Sequence, residues 1–290
     1  MNDIAIEELE LKANIIRQDI IKMLLQAGSG HTAGPLGMAD VFAALYFYVL
    51  KHDAKRPDWS ERDRLVVSNG HIAPVIYATL AEAGYFDKDE LMTLRKFGSR
   101  LQGHPERERL PGLETTSGPL GSGLSQAVGM AIALRMGSSS GQHVYCISGD
   151  GELDEGNIWE AAMLAGKRQL SNLTVIVDRN HIQIDGPTEM IMPLEPLALK
   201  WQAFNWHVVE INGHDMSEII SACDKARVVH GHPTCIIAHT TPGKGVDFME
   251  NDYHWHGYDP AGDKQQQIKD YRLALEKLRT LNGRIRSEHE

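Results

Sequence analysis

Apolar residues along this chain recur at two spacings, one typical of helices and one of strands. Ile16, Ile20, Met23 and Leu24 lie at helical spacing, and Gly28 follows as a stop. Farther along, short runs rich in β-branched residues alternate with helical segments. The strand-like runs are LVV, HVYCIS, NLTVIVD, WHVVEI and PTCIIAH. Strands that alternate with helices predict an α/β fold, a mostly parallel sheet with helices on both faces.

Two stretches rich in glycine interrupt this pattern, and ligands in such sheets bind where the strands end. GSGHTAGPLGMAD is predicted as a loop. Residues 98–123 are irregular over a length that is unusual in a compact domain unless it builds a site. The small residues of Leu124–Met136 predict a helix that can pack closely on a sheet or a partner. We therefore place one domain at 1–260, followed at 261–290 by a charged helix and a solvated tail.

Composition narrows the class of protein. The 290 residues include 29 Lys+Arg and 39 Asp+Glu, for a formal net charge of -10, which argues against a nucleic-acid surface. No apolar run approaches the roughly 20 residues that span a bilayer, so we expect a soluble protein without membrane contact. Cys146, Cys223 and Cys235 are scattered without disulfide spacing. A reducing, cytoplasmic setting is the natural interpretation.

A metal-binding pattern runs from Gly149 to Asn180. GDG follows the strand HVYCIS, and Asn180 follows the next strand, NLTVIVD, with a helix between them. Because parallel strands one crossover apart lie side by side, Asp150 and Asn180 can approach each other. Their side-chain oxygens and the backbone carbonyl of Ile182 would suit Mg²⁺, which prefers oxygen ligands. A GD pair alone, or an Asn after a strand alone, is a common turn former. The two at adjacent strand ends, with a helix between them, are much more specific for a metal site.

Four of the 14 histidines stand in loops flanked by glycine: His31, His71, His104 and His256. A neighbouring glycine leaves an imidazole open to a ligand, and histidine can hydrogen-bond sugar hydroxyls or pass protons. Any one of them alone would more often be structural. Zinc at HWH is a poor alternative, because two imidazoles at i and i+2 lack a further ligand pattern.

The segment GDGELDEGNIWEAAMLAGKRQLSNLTVIVDRNHIQIDG resembles the thiamine diphosphate motif of transketolases. The resemblance continues in order through SGHTAGPLGMAD, ERDRLVVSNGH, QGHPE, ETTSGPLGSG and HWHG, from about residue 10 to residue 257. It implies a diphosphate-binding domain that holds thiamine diphosphate through Mg²⁺, with Asp150, Asn180 and Ile182 as metal ligands.

The resemblance also assigns cofactor contacts. Gly151 would lie against the diphosphate, Gly118 and Leu120 would touch the cofactor, and Ile184 would pack on its rings. Glu155 matches a buried carboxylate at the interface between cofactor-binding domains.

By the same resemblance, the four histidines face the sugar. His71 and His104 would hold the hydroxyl at the first carbon, while His31 and His256 would face the carbonyl oxygen. His256, like His71, would also lie near the cofactor. The sequence departs from the family pattern where Thr32 replaces a usual proline, at Ser122, and where Arg179 precedes the metal-ligand Asn. None of these changes removes a required ligand.

A complete transketolase is more than twice this length, so the resemblance implies a second chain. That partner would be a C-terminal transketolase subunit with the pyrimidine-binding domain, in an α₂β₂ assembly that transfers a two-carbon ketol unit between sugars. The alternatives are a subunit of a 1-deoxyxylulose 5-phosphate synthase-like or 2-oxoacid dehydrogenase E1-like enzyme, or a non-catalytic homologue. Intact metal ligands and histidines argue against a non-catalytic protein, and no GxxxxGK[ST] supports a nucleotide enzyme.

Overall fold

A parallel sheet of five strands forms the centre of the protein. The computed structural model describes residues 3–137, 141–258 and 264–289. Its strands are β1 (Gly30–His31), β2 (Arg64–Val67), β3 (Val144–Gly149), β4 (Leu173–Arg179), β5 (Ile182–Gln183), β6 (Gly186–Pro187), β7 (His207–Asn212), β8 (Thr234–His239) and β9 (Gly257–Tyr258). The sheet has the order β2-β3-β4-β8-β7, and every neighbouring pair in it is parallel. The predicted α/β fold is confirmed. β1 pairs with β9, and β5 with β6, as short antiparallel ribbons.

Helices cover both faces of this sheet. They are α1 (Asp3–Ala27), α2 (Ala33–Gly37), α3 (Ala39–Ala44), α4 (Ala73–Glu82), α5 (Ser122–Met136), α6 (Gly156–Lys167), α7 (Thr188–Ile191), α8 (Leu197–Ala203), α9 (Met216–Val228) and α10 (Lys264–His289). Successive strand residues point to opposite faces. Ile147 and Ile176 join a core with α1, α3, α4 and α9, whereas Cys146 and Val175 join a second core with α5, α6 and α8.

The stretch GSGHTAGPLGMAD is not the open loop that we predicted. Ala33–Gly37 and the following Ala39–Ala44 are helical, and every residue of both segments is buried. A buried backbone must satisfy its own N–H and C=O groups, and a helix does so locally. Pro35 fits because the first helical turn needs no N–H donor there. Burial therefore overrides the poor helix propensity of this segment.

The last helix, α10, packs antiparallel along α1. Tyr271, Ala274 and Leu278 are fully buried against the core. The helix continues to His289, so the stretch predicted as a solvated tail is helical. The predicted domain division at residue 260 falls in 259–263, outside the described residues, and stays a prediction.

Two other sequence expectations concern the cysteines and membrane-spanning helices. Cys146, Cys223 and Cys235 are buried free thiols. Among the helices of the described residues, none is long and apolar enough to cross a bilayer. A cytoplasmic location stays a prediction.

Candidate functional site

Three strands end at one edge of the sheet and bring the predicted site residues there. β2 leads into His71, β3 into Asp150 and β4 into Asn180. Gly149 and Asp178 are paired across β3 and β4, so the two predicted metal ligands follow adjacent strand ends. The proximity expected from one parallel crossover is confirmed.

The four glycine-flanked histidines form one cluster at this edge. The ring centroid of His31 lies 5.0 Å from that of His71, 5.6 Å from that of His256 and 6.5 Å from that of His104. The rings of His71 and His256 are 5.0 Å apart. The ribbon of β1 and β9 sets His31 opposite Gly257, and so brings residues that are far apart in the sequence together.

A close backbone approach holds two of these loops together. An added Cβ at Gly70 would lie 2.6 Å from the Ser117 Cβ and 3.0 Å from the Gly118 nitrogen. Gly118 has φ of +153°, a conformation that side chains disfavour, and an added Cβ there would lie 3.9 Å from the His104 ring. The absence of side chains therefore lets the Gly118 backbone lie between the turn that carries His71 and the loop that carries His104.

The histidine cluster is electrically neutral near pH 7. Burial, followed by the charges of His256, Arg95 and His104, lowers the pKa of His31 to about 3. Burial also lowers the pKa values of His71, His104 and His256. A neutral imidazole offers one donor and one acceptor, so the cluster can hydrogen-bond hydroxyl and carbonyl oxygens and move protons between them.

This neutrality predicts that acid will weaken the fold. The unfolded chain takes up a proton at His31 below about pH 6.5, whereas folded His31 stays neutral until about pH 3. The free energy of unfolding must therefore fall as the pH drops below 6.5. His31→Gln removes this contribution, so its stability relative to the wild type should improve by about 2 kcal/mol between pH 7 and pH 5. Urea denaturation at both pH values measures the change.

His207→Gln is the matched control, because the His207 side chain is exposed in the folded protein. It should leave the difference from the wild type the same at both pH values. A constant difference for His31→Gln as well would contradict the proton linkage at His31.

Asp150 lies at the centre of the predicted metal site and is 1% exposed. Its Oδ2 accepts hydrogen bonds from the His181 backbone N–H at 2.7 Å and from Arg179 Nη1 at 3.0 Å, and its Oδ1 accepts from the Gly151 N–H at 2.8 Å. Burial raises the pKa of Asp150 to about 6 against these stabilising contacts. A buried carboxylate of this kind gains strongly from a further cation.

Asn180 is oriented by a second buried carboxylate. The Asn180 amide donates through Nδ2 to Asp178 at 2.8 Å, and its Oδ1 accepts from the Ile182 N–H at 3.0 Å. Asp178 is itself held by the Thr240 hydroxyl, and burial raises the pKa of Asp178 to about 7. This arrangement leaves one lone pair of Asn180 Oδ1 free to act as a ligand.

The residues at this edge fit a magnesium-bound diphosphate. A carboxylate oxygen, an amide oxygen and a backbone carbonyl are the donors that Mg²⁺ prefers, and they stand beside backbone N–H groups of the GDG turn. Asn69, fully buried between the turn with His71 and the end of β3, has no hydrogen-bond partner for either side-chain atom. Orphaned polar groups at such a position are typical of a ligand-binding site. Within the described residues no cluster of three His, Cys, Asp or Glu side chains could hold a metal, and the predicted set contains one such side chain.

Three of the other predicted site residues, Leu120, Ile184 and Glu155, have exposed side chains. Leu120 and Ile184 are 38% and 64% exposed, which leaves their apolar side chains open to a ligand or a partner. Gly151 is half-buried beside Gln183, and Glu155 is exposed. The predicted burial of Glu155 between cofactor-binding domains therefore does not occur within this chain, and its burial by a partner stays a prediction.

Sequence reasoning missed a further buried carboxylate of this motif, Glu152. Its two oxygens accept from the hydroxyls of Ser68 and Ser148 and from the backbone N–H groups of Gly121 and Gly149, at 2.5–3.1 Å. Glu152 thus ties the ends of β2 and β3 to the start of α5. An acidic residue two positions after Asp150 was the available signal.

Arg95 was also missed. Its guanidinium lies close enough to His31 and His104 to lower both pKa values, and it donates to the Ser29 hydroxyl at 3.2 Å. The side chain is exposed, and the backbone has φ of +59°. The guanidinium thus places a positive charge near His31 and His104, and no local sequence pattern predicts this.

Comparison with known proteins gives a match over most of the chain. Residues 9–278 match the family model described as transketolase, thiamine diphosphate binding domain. The chain is 47% identical over 243 residues to the 6-deoxy-6-sulfo-D-fructose transketolase subunit SqwG of Clostridium sp. (strain MSTE9), covering 84% of this chain and 88% of that protein. It is 39% identical over 279 residues to an apulose-4-phosphate transketolase subunit of Phocaeicola vulgatus, covering 96% and 99%.

Solved structures give the same result for the fold. The transketolase from Leishmania mexicana superposes with a TM-score of 0.82 at 34% identity, over 96% of this chain. That match covers 46% of the Leishmania chain, so the present chain spans less than half of the single-chain enzyme.

Proposed function

Because the chain belongs to the transketolase family, we propose that it is the subunit that binds the diphosphate end of thiamine diphosphate in an enzyme of two kinds of chain. Relatives that match over most of their length support a transketolase-type role, the transfer of a two-carbon ketol unit from a ketose to an aldose. One observation carries this proposal: four neutral imidazoles and the Asp150–Asn180 pair meet at one edge of the sheet.

The residues divide into a metal end and a sugar end. Asp150, Asn180 and the Ile182 carbonyl would hold Mg²⁺, and the GDG turn would hold the diphosphate. The remaining cofactor contacts come from Gly118, Leu120, Gly151, Ile184, His71 and His256. Thiamine diphosphate supplies a nucleophilic carbon and an electron sink, which no side chain offers.

The chain itself contributes hydrogen bonds and proton movement at the sugar. His71 and His104 would hold the hydroxyl at the first carbon. His31 and His256, whose rings are 5.6 Å apart, would hold a proton at the carbonyl oxygen and take it back. Their lowered pKa values keep them neutral, so each imidazole can both donate and accept near pH 7.

The names of two relatives suggest the class of substrate. They refer to 6-deoxy-6-sulfo-D-fructose and to apulose 4-phosphate, sugars that carry a sulfonate or a phosphate. We infer a ketose with an acidic group for this chain as well. The cationic Arg95, exposed beside His104, supports an anionic substrate.

A partner chain is part of the proposal. Two relatives are named as subunits, and single-chain transketolase is more than twice as long as the region matched here. Met136 on α5, Met163 on α6 and Glu155 just before α6 are exposed, and a partner chain could cover them. We propose a C-terminal transketolase subunit with the pyrimidine-binding domain as partner, in an α₂β₂ assembly.

Reconstitution tests this function. The partner is isolated by co-purification with the tagged chain and then expressed separately. We expect no ketol transfer by either chain alone, and turnover of a ketose phosphate with an aldose acceptor when both are mixed with thiamine diphosphate and Mg²⁺. Aldehyde release measures turnover, and light scattering measures an assembly with equal numbers of each chain.

Two results would contradict the proposal in different ways. Robust turnover by this chain alone would show that it holds the whole site and needs no partner. A stable complex that binds the cofactor with Mg²⁺, yet transfers no ketol unit from any ketose tested, would refute the assigned reaction.

A further inference from the structure

A buried arginine forms an ion pair with Asp150, the carboxylate that we assign to the metal. Arg179 is 1% exposed, and its Nη1 donates to Asp150 Oδ2 at 3.0 Å and to the Thr188 hydroxyl at 2.8 Å. Its Nη2 donates to Glu189 at 2.7 Å and to Glu195 at 3.0 Å. One guanidinium therefore joins the proposed metal ligand to two carboxylates of the segment that follows β6.

We propose that Arg179 is an internal stand-in for the metal ion. Its guanidinium neutralises Asp150 until a divalent cation binds there. The guanidinium then leaves Asp150 and pairs with Glu189 and Glu195 alone. This inference rests on the proposed metal-binding role of Asp150. It assigns Arg179 a positioning function, because the side chain acts on the metal through Asp150 and contacts neither substrate nor cofactor.

The charges around Arg179 support this exchange. Asp150 and Asp178 are both buried, and a buried carboxylate without a compensating charge destabilises the fold strongly. A cation at Asp150 would also be repelled by a neighbouring guanidinium. Arg179 can therefore neutralise Asp150 and later release it to a metal ion only if a second anionic partner lies within reach of the guanidinium.

Glu189 and Glu195 provide that partner. Their side chains are 39% and 57% exposed, and the backbone N–H groups of Leu194 and Leu197 hold them beside the guanidinium. Arg179 Nε has no hydrogen-bond partner, so the guanidinium still has an unused donor. The two outer carboxylates and the inner one thus compete for the same cation.

The experiment measures affinity for thiamine diphosphate with Mg²⁺ by calorimetry, on the chain assembled with its partner, and thermal stability without ligands. Arg179→Gln should lower the melting temperature and raise Mg²⁺-dependent affinity roughly 3–10-fold, because a competing cation is gone. The double variant Glu189→Gln, Glu195→Gln should do the opposite and lower affinity by a similar factor, since it leaves the guanidinium on Asp150.

Two controls separate this mechanism from general electrostatics. Asp185→Asn removes an exposed charge from the turn between β5 and β6, where Asp185 does not pair with Arg179, and should change affinity less than twofold. In an Arg179→Gln background, the two glutamate changes should have no further effect, because they act through the arginine.

The outcomes are distinct. If Arg179→Gln weakens binding, or lowers stability with unchanged affinity, the stand-in role is wrong. If that variant fails to fold, an unchanged or raised affinity in the glutamate double variant overturns the inference. If the wild-type protein shows no Mg²⁺-dependent binding, the proposed function fails first, and this inference fails with it.

Discussion

Replacement of Asp150 will abolish magnesium-dependent binding of thiamine diphosphate. Asp150 supplies the one anionic ligand among the three proposed, and it stands 1% exposed at the end of β3. Residues that merely orient a metal ligand contribute about 10–100-fold in affinity, so loss of the ligand itself should exceed about 100-fold. Calorimetric titration with and without Mg²⁺ measures the loss.

Two variants of Asp150 separate binding from folding. Asp150→Ala also breaks the buried ion pair with Arg179 and leaves a cavity, so it should lower stability, although Glu189 and Glu195 still pair with the guanidinium. Asp150→Asn keeps an acceptor oxygen for one of the two N–H groups that the carboxylate binds, that of Gly151 or that of His181, and it leaves no cavity, so it should fold better. Both should lose the Mg²⁺-dependent part of cofactor affinity. Undiminished affinity in folded Asp150→Asn would remove Asp150 from the metal site.

Loss of either His31 or His104 will reduce turnover far more than cofactor binding. We place both imidazoles over the sugar, where general acid–base or positioning groups contribute about 10²–10⁴-fold in rate. His31→Ala and His104→Ala should therefore lower kcat in the assembled enzyme by a factor in that range. Affinity for thiamine diphosphate should change less than about threefold, which is below 1 kcal/mol.

His254→Ala is the matched control for these changes. His254 lies two residues before His256, but its side chain is 71% exposed and pairs with Asp252. Its removal should leave kcat unchanged. Full activity of His31→Ala or His104→Ala with a ketose donor would show that the assigned role is wrong.

Local patterns were sufficient to predict the sheet and the paired strand ends. The β-branched runs form five parallel strands, and the single crossover between β3 and β4 is enough to place Asp150 beside Asn180. Glycine neighbours likewise pointed to all four histidines that cluster. These features depend on short stretches of sequence, which one-dimensional patterns describe well.

The missed features depend on contacts between distant residues. Ser68 and Glu152 are 84 positions apart, and no local sequence pattern around either residue predicts their hydrogen bond. Arg179 looked like a departure from the family pattern, but the fold gives it four partners. The glycine-rich segment before α3 became helical because it is buried, and burial of a loop cannot be read from propensity alone.

The antiparallel packing of α1 and α10 has a consequence for the order in which a gene can encode the helices. Glu10 near the start of α1 pairs with His289 at the end of α10, and Asn14 donates to the Leu278 carbonyl. Antiparallel helices that lie side by side can be joined by a short linker from the end of one to the start of the other. A permuted gene in which a short linker leads from α10 into α1 could keep the contacts between these helices. The fold depends on these two helices being neighbours, and it leaves open which of them the ribosome makes first.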